Sequence, residues 1–165
     1  MTDDETRRSN TIRRETVFER AYLDHFTRIR SFLCVYIGNI AAVDDLAQDT
    51  FLQLWSRPDA FDPLRSSLRT YLLGIARKKA ADWWRHHPLD GSTSPEQAIE
   101  SEGGAVAMKD ALSKLDTDLR NVLWLREAEG YAYEELARIL DIPLGTVKSR
   151  LFAAREQLRR IWKNT

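Results

Sequence analysis

Five side chains near the C-terminus carry the clearest chemistry of the chain. On a helical wheel they share or flank one side of a predicted helix, and we name them the reader face: Lys148, Ser149, Arg150, Phe152 and Arg155. Arginine and lysine bind backbone phosphates, whereas a hydroxyl or an aromatic ring can reach base edges or a thymine methyl. A phenylalanine that points away from its own core beside such cations indicates duplex DNA as the ligand.

The opposite side of this helix is apolar and must pack on a core. Its stripe repeats at three- and four-residue steps and consists of Val147, Leu151, Ala154, Leu158 and Ile161. A shorter helix is predicted before it, from Tyr133 to Leu140. We expect Asp141 to adopt the left-handed conformation there and Pro143 to lie in the first turn of the next helix. This turn predicts a helix-turn-helix unit. An ordinary helical hairpin is the alternative, and the exposed ring of Phe152 argues against it.

A second helix with exposed chemistry is predicted in the N-terminal half. Leu46, Ala47, Phe51 and Leu54 share its buried side. The remaining side, which we name the docking face, consists of Asp45, Gln48, Asp49, Leu52 and Trp55. Acid beside exposed apolar side chains favours a protein partner over DNA. The alternative is a solvated acidic surface with Trp55 in the core.

Charge is sorted by sign along the chain, although the formal net charge is zero. Residues 65–87 hold six basic residues and one acidic residue, and residues 145–165 show the same balance. Acid is concentrated elsewhere, around residues 44–62, 96–102 and 127–135. Such sorting suits a protein that meets nucleic acid on one surface and a basic protein on another.

Hydrophobic periodicity predicts an all-α protein built from two small helical domains. We expect a disordered N-terminal tail over 1–14 and a helical domain over 15–87. A flexible linker follows over 88–106, where glycine, serine and proline gather. The second domain, 107–165, contains a helix near Asp118 as N-cap and ends in the helix-turn-helix.

Several functional classes are excluded by residue usage. The single cysteine, Cys34, lies among apolar residues and is predicted to be a buried hydrophobe. Metal-ligand spacings, nucleotide-binding loops and nucleophile arrangements are missing from the sequence, so we expect neither a cofactor nor an enzyme. The polar start of the chain has no hydrophobic signal region and no apolar run is long enough for a membrane span, which predicts a cytoplasmic protein.

Three segments together resemble one family. They are DDLAQDTFLQLW (44–55), FDPLRSSLRTYLLGIARKKAADWWR (61–85) and the GTVKSRL core of the helix-turn-helix (145–151). In order and spacing they resemble the extracytoplasmic-function class of bacterial RNA polymerase sigma factors. The resemblance implies two helical domains, called regions 2 and 4, which lend promoter recognition and strand opening to the core polymerase.

The resemblance also implies roles for residues of the first domain. The docking face would bind the clamp helices of the polymerase β′ subunit. The loop 59–67 resembles the loop with which region 2 captures a base flipped from single-stranded −10 DNA. Candidate contacts, which we name the strand surface, are Arg65, Ser66 and Ser67 in the loop and Arg69, Arg77, Lys78 and Lys79 on phosphates.

In the second domain, the resemblance places the reader face on duplex DNA at the −35 element. The helix near Asp118 would hold the polymerase β flap. An anti-sigma factor is a further expected partner, because a flexible linker would let such a protein clamp the two domains together.

Some positions depart from the family pattern. Tyr71, Gly74 and Lys78 stand where relatives often carry tryptophan, arginine and asparagine, so the −10 contacts of this chain differ in detail. The adjacent Trp83 and Trp84 lie about three turns beyond the positions at which primary sigma factors carry a strand-opening pair. We predict that they pack on the core or face the linker.

Two other functions remain as alternatives. A transcriptional regulator would bind its own operator through the helix-turn-helix without polymerase, and it would not need Asp49 or Trp55. A pure interaction protein would bind acidic partners through its basic segments, with strong salt dependence and no sequence preference.

Overall fold

The computed structural model describes residues 2–87 and 106–164, with side chains from 110 onward in the second part. The described residues are all-α, as predicted, and contain no strand. The helices are α1 (Asp3–Ile37), α2 (Ile40–Ser56), α3 (Leu68–His86), α4 (Val106–Ser113), α5 (Thr117–Glu127), α6 (Tyr133–Leu140) and α7 (Leu144–Lys163), with a 3-10 helix at Pro58–Ala60. Nearly all of the predicted linker, 88–106, lies outside the described residues. No helix in the described ranges is long and apolar enough to cross a membrane.

The first three helices pack against one another as a bundle. Their core includes the fully buried side chains of Ile29, Leu33, Phe51 and Leu72. Between α1 and α2 the chain reverses at Gly38, whose φ of 73° is the left-handed conformation that glycine adopts without a steric penalty. This reversal places α2 along α1 and leaves the acidic side of α2 facing outward.

The start of α1 differs from expectation, because residues 3–14 are helical rather than disordered. The Thr2 N–H donates to the Glu5 carboxylate over 3.1 Å, and acidic side chains in the first turn suit the helix dipole. An ion pair between Arg8 and Asp4 adds support one turn apart. Side chains 2–17 are nevertheless exposed, so this helical segment has almost no apolar periodicity by which to be recognised.

A buried arginine organises the helices after the linker. Arg120 on α5 donates through Nε to the Leu112 carbonyl over 2.9 Å and through Nη2 to the Leu115 carbonyl over 2.8 Å. These carbonyls close α4 and the turn after it, where helical partners are missing. The α5 helix begins at Thr117 with Asp116 as N-cap, two residues earlier than the expected N-cap at Asp118. Asp118 is thereby left free to meet α7.

The two parts of the chain also pack against each other. Helix α3 lies against α6, and α1 lies against α5. We call this contact the seam. Because α6 is the first helix of the predicted DNA reader and α3 carries most of the strand surface, the seam brings the two candidate functional regions together.

Candidate nucleic-acid and polymerase interfaces

The helix-turn-helix has the predicted turn. Asp141 has a φ of 54°, the left-handed conformation, and the Ile142 N–H donates to the Ala137 carbonyl over 3.1 Å. At the start of α6, the Glu135 carboxylate accepts from the Ala132 N–H over 2.9 Å, which offsets the missing hydroxyl at that N-cap. Pro143 lies one residue outside α7 rather than inside its first turn. This turn therefore ends α6 and starts α7 in a new direction.

Three members of the reader face are available to a ligand. Lys148, Ser149 and Phe152 are exposed, and the Phe152 side chain is 69% accessible although Leu151 beside it is buried. The Ser149 hydroxyl donates to the Thr146 carbonyl over 3.1 Å, which leaves its oxygen free to accept. Such a cation, hydroxyl and ring on one exposed side fit base edges and phosphates of a major groove.

The two arginines of the reader face are held by acids of α5. Arg150 lies 3.1 Å from the Asp118 carboxylate, and Arg155 lies 2.7 Å from that of Glu127. Hydrogen bonds to Glu127 and Tyr133 raise the pKa of Arg155 above its usual range. These side chains therefore join α7 to its own domain, and a DNA phosphate would have to compete with a carboxylate for each of them.

The docking face is mostly open, with one exception. Asp45, Gln48, Asp49 and Leu52 are exposed. Trp55 is half-buried: its ring lies edge-on to Phe18 with centroids 5.1 Å apart, and the Arg14 guanidinium lies 5.2 Å above it. One side of the ring thus packs on α1, as the alternative expects, while the rest borders the acidic surface, and the docking role of Trp55 stays a prediction.

The loop before α3 is built by its own polar side chains. The Asp62 carboxylate accepts from the Leu64 N–H over 2.9 Å, and the Ser67 hydroxyl accepts from the Thr70 N–H over 3.2 Å as the N-cap of α3. Ser67 is therefore occupied as a cap. Arg65 and Leu64 remain exposed beside a cavity of about 730 Å³ that the loop and α3 share with the end of α6.

Three residues of the strand surface lie at the seam, one through its backbone and two through their guanidinium groups. Arg138 of α6 donates to the backbone carbonyl of Arg65 over 2.7 Å, and Arg77 lies 3.8 Å from the Asp141 carboxylate. The Arg69 guanidinium lies 4.2 Å above the ring of Tyr131, which is fully buried just before α6. Lys78 is exposed and Lys79 is half-buried. In this arrangement the C-terminal helices cover part of the strand surface.

The adjacent tryptophans pack at the end of α3. The Trp84 Nε1–H donates to the Tyr36 carbonyl over 3.3 Å, and Trp83 stacks on His87 with centroids 4.5 Å apart. Both rings are half-buried. Their contacts favour the packing role predicted for them.

Tyr131 and Arg138 were missed by reasoning from the sequence. Each meets a residue more than 60 positions away in the chain, namely Arg69 and Arg65. No local spacing marks such a pair. The sequence offered only a chemical signal: the aromatic ring of Tyr131 lies just before the first helix of the helix-turn-helix, and the cation of Arg138 lies within that helix.

Comparisons with known proteins agree with this arrangement. Residues 21–88 match sigma-70 region 2, and residues 105–158 match sigma-70 region 4. The ECF RNA polymerase sigma factor SigC of Mycobacterium tuberculosis is 35% identical over 133 residues, which cover 74% of this chain and 71% of that protein. The RNA polymerase sigma-H factor of Pseudomonas aeruginosa is 40% identical over 162 residues, covering 86% and 83% respectively.

Solved structures agree as well. The sigma factor RpoE of Bartonella quintana, in complex with the anti-sigma factor NepR, superposes with a TM-score of 0.72 at 26% identity, over 88% of this chain and 96% of that one. CnrH in complex with the cytosolic domain of CnrY gives a TM-score of 0.70 at 25% identity, over 91% and 90%. The chain belongs to the sigma-70 family of RNA polymerase sigma factors, in its extracytoplasmic-function class.

The family settles the general function. The protein acts in promoter-specific initiation of transcription, and the comparisons give no support to a polymerase-independent regulator. Sigma factors are not enzymes; they direct one.

Proposed function

We propose that this chain binds core RNA polymerase through the docking face, contacts single-stranded −10 DNA through the strand surface and reads the −35 element through the reader face. The observation that supports this division most directly is the placement of the three surfaces on three different helices. An acidic, partly apolar face on α2 is separate from the basic side chains of α3 and from those of α7. Each surface therefore has chemistry for one partner.

The docking face suits the β′ clamp helices as a partner. Asp45 and Asp49 are exposed carboxylates one turn apart, and Leu52 extends the same side with an exposed apolar group. A patch of this kind binds a helical surface that carries cations around an apolar centre. Trp55 would contribute the free part of its ring at the edge.

The strand surface suits single-stranded DNA, since cations border a loop and a cavity. Arg65 and Ser66 line the cavity of about 730 Å³ together with Tyr71 and Lys78. A flipped base needs an enclosed site with hydrogen-bonding and stacking groups, and the neighbouring phosphates need cations. The Ser67 hydroxyl supports the loop as a cap rather than facing a base.

The reader face suits the −35 duplex, with unequal parts for its members. Lys148, Ser149 and Phe152 would make the base-edge and methyl contacts, because they are exposed and free of ion pairs among the described residues. Arg150 and Arg155 would position the helix on phosphates after exchanging their α5 carboxylates. The exposed part of α5 would hold the β flap.

The proposal extends to regulation and place of action. Structural neighbours were solved with an anti-sigma factor or with a partner's cytosolic domain bound. We propose that an anti-sigma factor also binds this chain, and that the chain works in the cytoplasm, where its polymerase lies.

Core-polymerase capture combined with run-off transcription tests the proposal. The full chain is expected to form a stable complex with core polymerase and to direct a specific transcript from a fitting promoter. Asp49→Arg is expected to weaken the complex at least about tenfold, since it places a cation against a basic partner. Asp110→Arg, an equal charge change at an exposed position of α4, is the matched control. A wild-type chain that forms no complex with core polymerase would contradict the proposal.

A further inference from the structure

A small polar cavity lies at the seam, apart from the larger one beside the loop. Its volume is about 250 Å³, and α1, α3, α5, α7 and the turn after α6 all contribute to it. The polar lining consists of Tyr36, Arg77, Asp118, Asn121, Asp141 and Arg150. Since a water molecule occupies about 30 Å³ of liquid, the cavity has room for a small solute rather than for one water alone.

Two of these side chains have unsatisfied hydrogen-bonding groups. Asn121 is only 2% exposed, and neither its Nδ2 nor its Oδ1 has a partner among the described residues. The Nε of Arg77 is likewise buried without a partner, and the nearest carboxylate, that of Asp141, is 3.8 Å away from the guanidinium. Buried polar groups in native proteins are almost always hydrogen-bonded, so Asn121 and Arg77 point to an occupant of the cavity that both accepts and donates.

The charges of the lining are arranged by depth. The side chains of Arg77 and Arg150 are 17% and 30% exposed, whereas those of Asp118 and Asp141 are 62% and 79% exposed. The cations therefore lie inside and the carboxylates lie at the solvent-exposed rim, where water screens them. Tyr36 adds a hydroxyl donor, because burial raises its pKa above the usual range.

We infer that this cavity binds a phosphate group that carries a proton, either as hydrogen phosphate or as a small phosphomonoester. Guanidinium groups bind phosphate oxygens through charge-assisted hydrogen bonds. Asn121 Oδ1 requires a donor, and a P–OH group supplies one. Sulfate, which holds no proton near neutral pH, leaves Asn121 Oδ1 unsatisfied and should bind less well.

An occupant of this cavity would hold the seam together, since Tyr36 and Arg77 belong to one half of the chain and Asn121 and Arg150 to the other. Arg77 is also a member of the strand surface. Arg150 belongs to the reader face and is ion-paired with Asp118, which it would exchange for the bound phosphate. On the proposed function, that phosphate therefore competes with −10 DNA for Arg77 and with −35 DNA for Arg150. The binding step itself depends only on the cavity.

Calorimetric titration of the full chain tests the inference, with inorganic phosphate, glycerol 3-phosphate and sulfate at equal ionic strength near pH 6.5. Saturable binding is expected for one or both phosphates, and weaker binding for sulfate. Comparison of the two phosphates decides whether the site takes the free ion or the ester. If neither phosphate binds saturably up to about 10 mM, or if sulfate binds equally well, the cavity holds water and the inference is overturned.

A more specific test is the variant Asn121→Leu, which changes the cavity itself. It removes an unsatisfied buried amide, a change that is usually neutral or stabilising, and it should lower phosphate affinity at least about tenfold. Lys114→Gln, which removes an exposed cation outside the cavity, should leave phosphate binding unchanged. Equal losses in both variants, or full binding by Asn121→Leu, would assign the signal to nonspecific anion attraction.

A measurement on the unmodified chain covers the case in which Asn121→Leu does not fold. The side-chain amide resonance of Asn121 should shift with phosphate, and this shift should saturate at a lower concentration than any shift caused by sulfate. If calorimetry detects phosphate binding but the Asn121 resonance does not shift, the assignment of the site is also overturned. None of these measurements uses polymerase or a promoter, so their failure is distinct from failure of the proposed sigma function.

Discussion

The reader face and the strand surface both carry arginines suited to phosphate, but they differ in whether the other half of the chain packs against them. On α7, Phe152 and Lys148 face solvent, and the helices that support them belong to the same domain. On α3, Arg69 and Arg77 lie against the other domain. On the proposed function, the exposed members of the reader face are therefore ready for DNA as folded, whereas part of the strand surface becomes available only when the seam opens.

The difference suggests how binding steps are ordered. On the proposed function, a duplex −35 element can meet Lys148, Ser149 and Phe152 as folded, and only Arg150 and Arg155 have to exchange a carboxylate for a phosphate. Single-stranded −10 DNA would first have to displace contacts between the two halves, such as the Arg138 hydrogen bond to the Arg65 carbonyl. A partner that separates the two halves should therefore have a larger effect on strand binding than on duplex binding.

The largest expected effect comes from removing the core that supports the reader face. Leu151 is 1% exposed under α7, so Leu151→Ala should lower the free energy of unfolding by about 2–5 kcal/mol and disable duplex binding. Denaturant unfolding followed by circular dichroism measures it. Leu144→Ala, at a partly exposed leucine of the same helix, should change the free energy by less than about 0.5 kcal/mol. Equal effects at the two leucines would mean that α7 does not pack as described.

The reader face itself is tested by Phe152→Ala. Loss of one apolar contact to a base should weaken binding of a duplex −35 site by about 1 kcal/mol, or roughly fivefold in Kd. Fluorescence anisotropy of the holoenzyme on a labelled duplex measures it. Trp162→Ala, which removes an exposed aromatic ring from the same helix outside the reader face, is the control. If Trp162→Ala weakens binding as much as Phe152→Ala, the reader face is wrongly placed.

Opening the seam should sharpen the contrast between the two surfaces. The double variant Arg138→Ala and Asp141→Asn removes both polar links to the strand surface, and asparagine tolerates the left-handed conformation at position 141. Each link has at least one exposed partner and is worth about 0.2–1 kcal/mol, so single-stranded DNA should bind the free chain about twofold to thirtyfold more tightly. Duplex binding should stay constant.

The matched control for that variant is Arg20→Ala with Asp24→Asn, which breaks an exposed ion pair of α1 outside the seam. It should change neither kind of binding. A double seam variant that binds single-stranded DNA no better than wild type would show that the seam does not limit access.

The smallest expected effect is a pH dependence of stability. It comes from His25 on α1, which lies near Arg28 of the same helix and Arg69 of α3. Burial lowers the pKa of His25 below its usual value. Asp24 acts in the opposite direction, whereas Arg69 and Arg28 lower the pKa further. Its neutral form is favoured in the folded chain, so stability is complete above about pH 6.5 and falls as the pH drops toward the lowered pKa. Thermal unfolding between pH 7.5 and 5 should show a shallower loss for His25→Gln. Identical slopes would exclude His25 as the cause.

Local features of the molecule were predictable from sequence, because their causes are local. The left-handed Asp141, the buried stripe under α7 and the Glu135 hydrogen bond at the start of α6 each depend on residues within one or two turns. The helical start of α1 was not predicted, since caps and ion pairs stabilise it without an apolar stripe.

The seam was beyond prediction for a different reason. Its contacts join residues far apart in sequence, such as Arg138 with Arg65. The local sequence around each of these residues indicates only a solvated cation. The sequence indicated candidate residues for the strand surface, which stay a prediction, but it could not indicate that α6 would cover part of them. Trp55 was similarly ambiguous, because its partner Phe18 comes from another helix.

Arg120 also determines how a displacement travels through the C-terminal helices. Its hydrogen bonds to the Leu112 and Leu115 carbonyls join the end of α4 and the turn after it to α5. A displacement of α4 is therefore passed to α5, and the ion pairs of Asp118 with Arg150 and of Glu127 with Arg155 carry it on to α7.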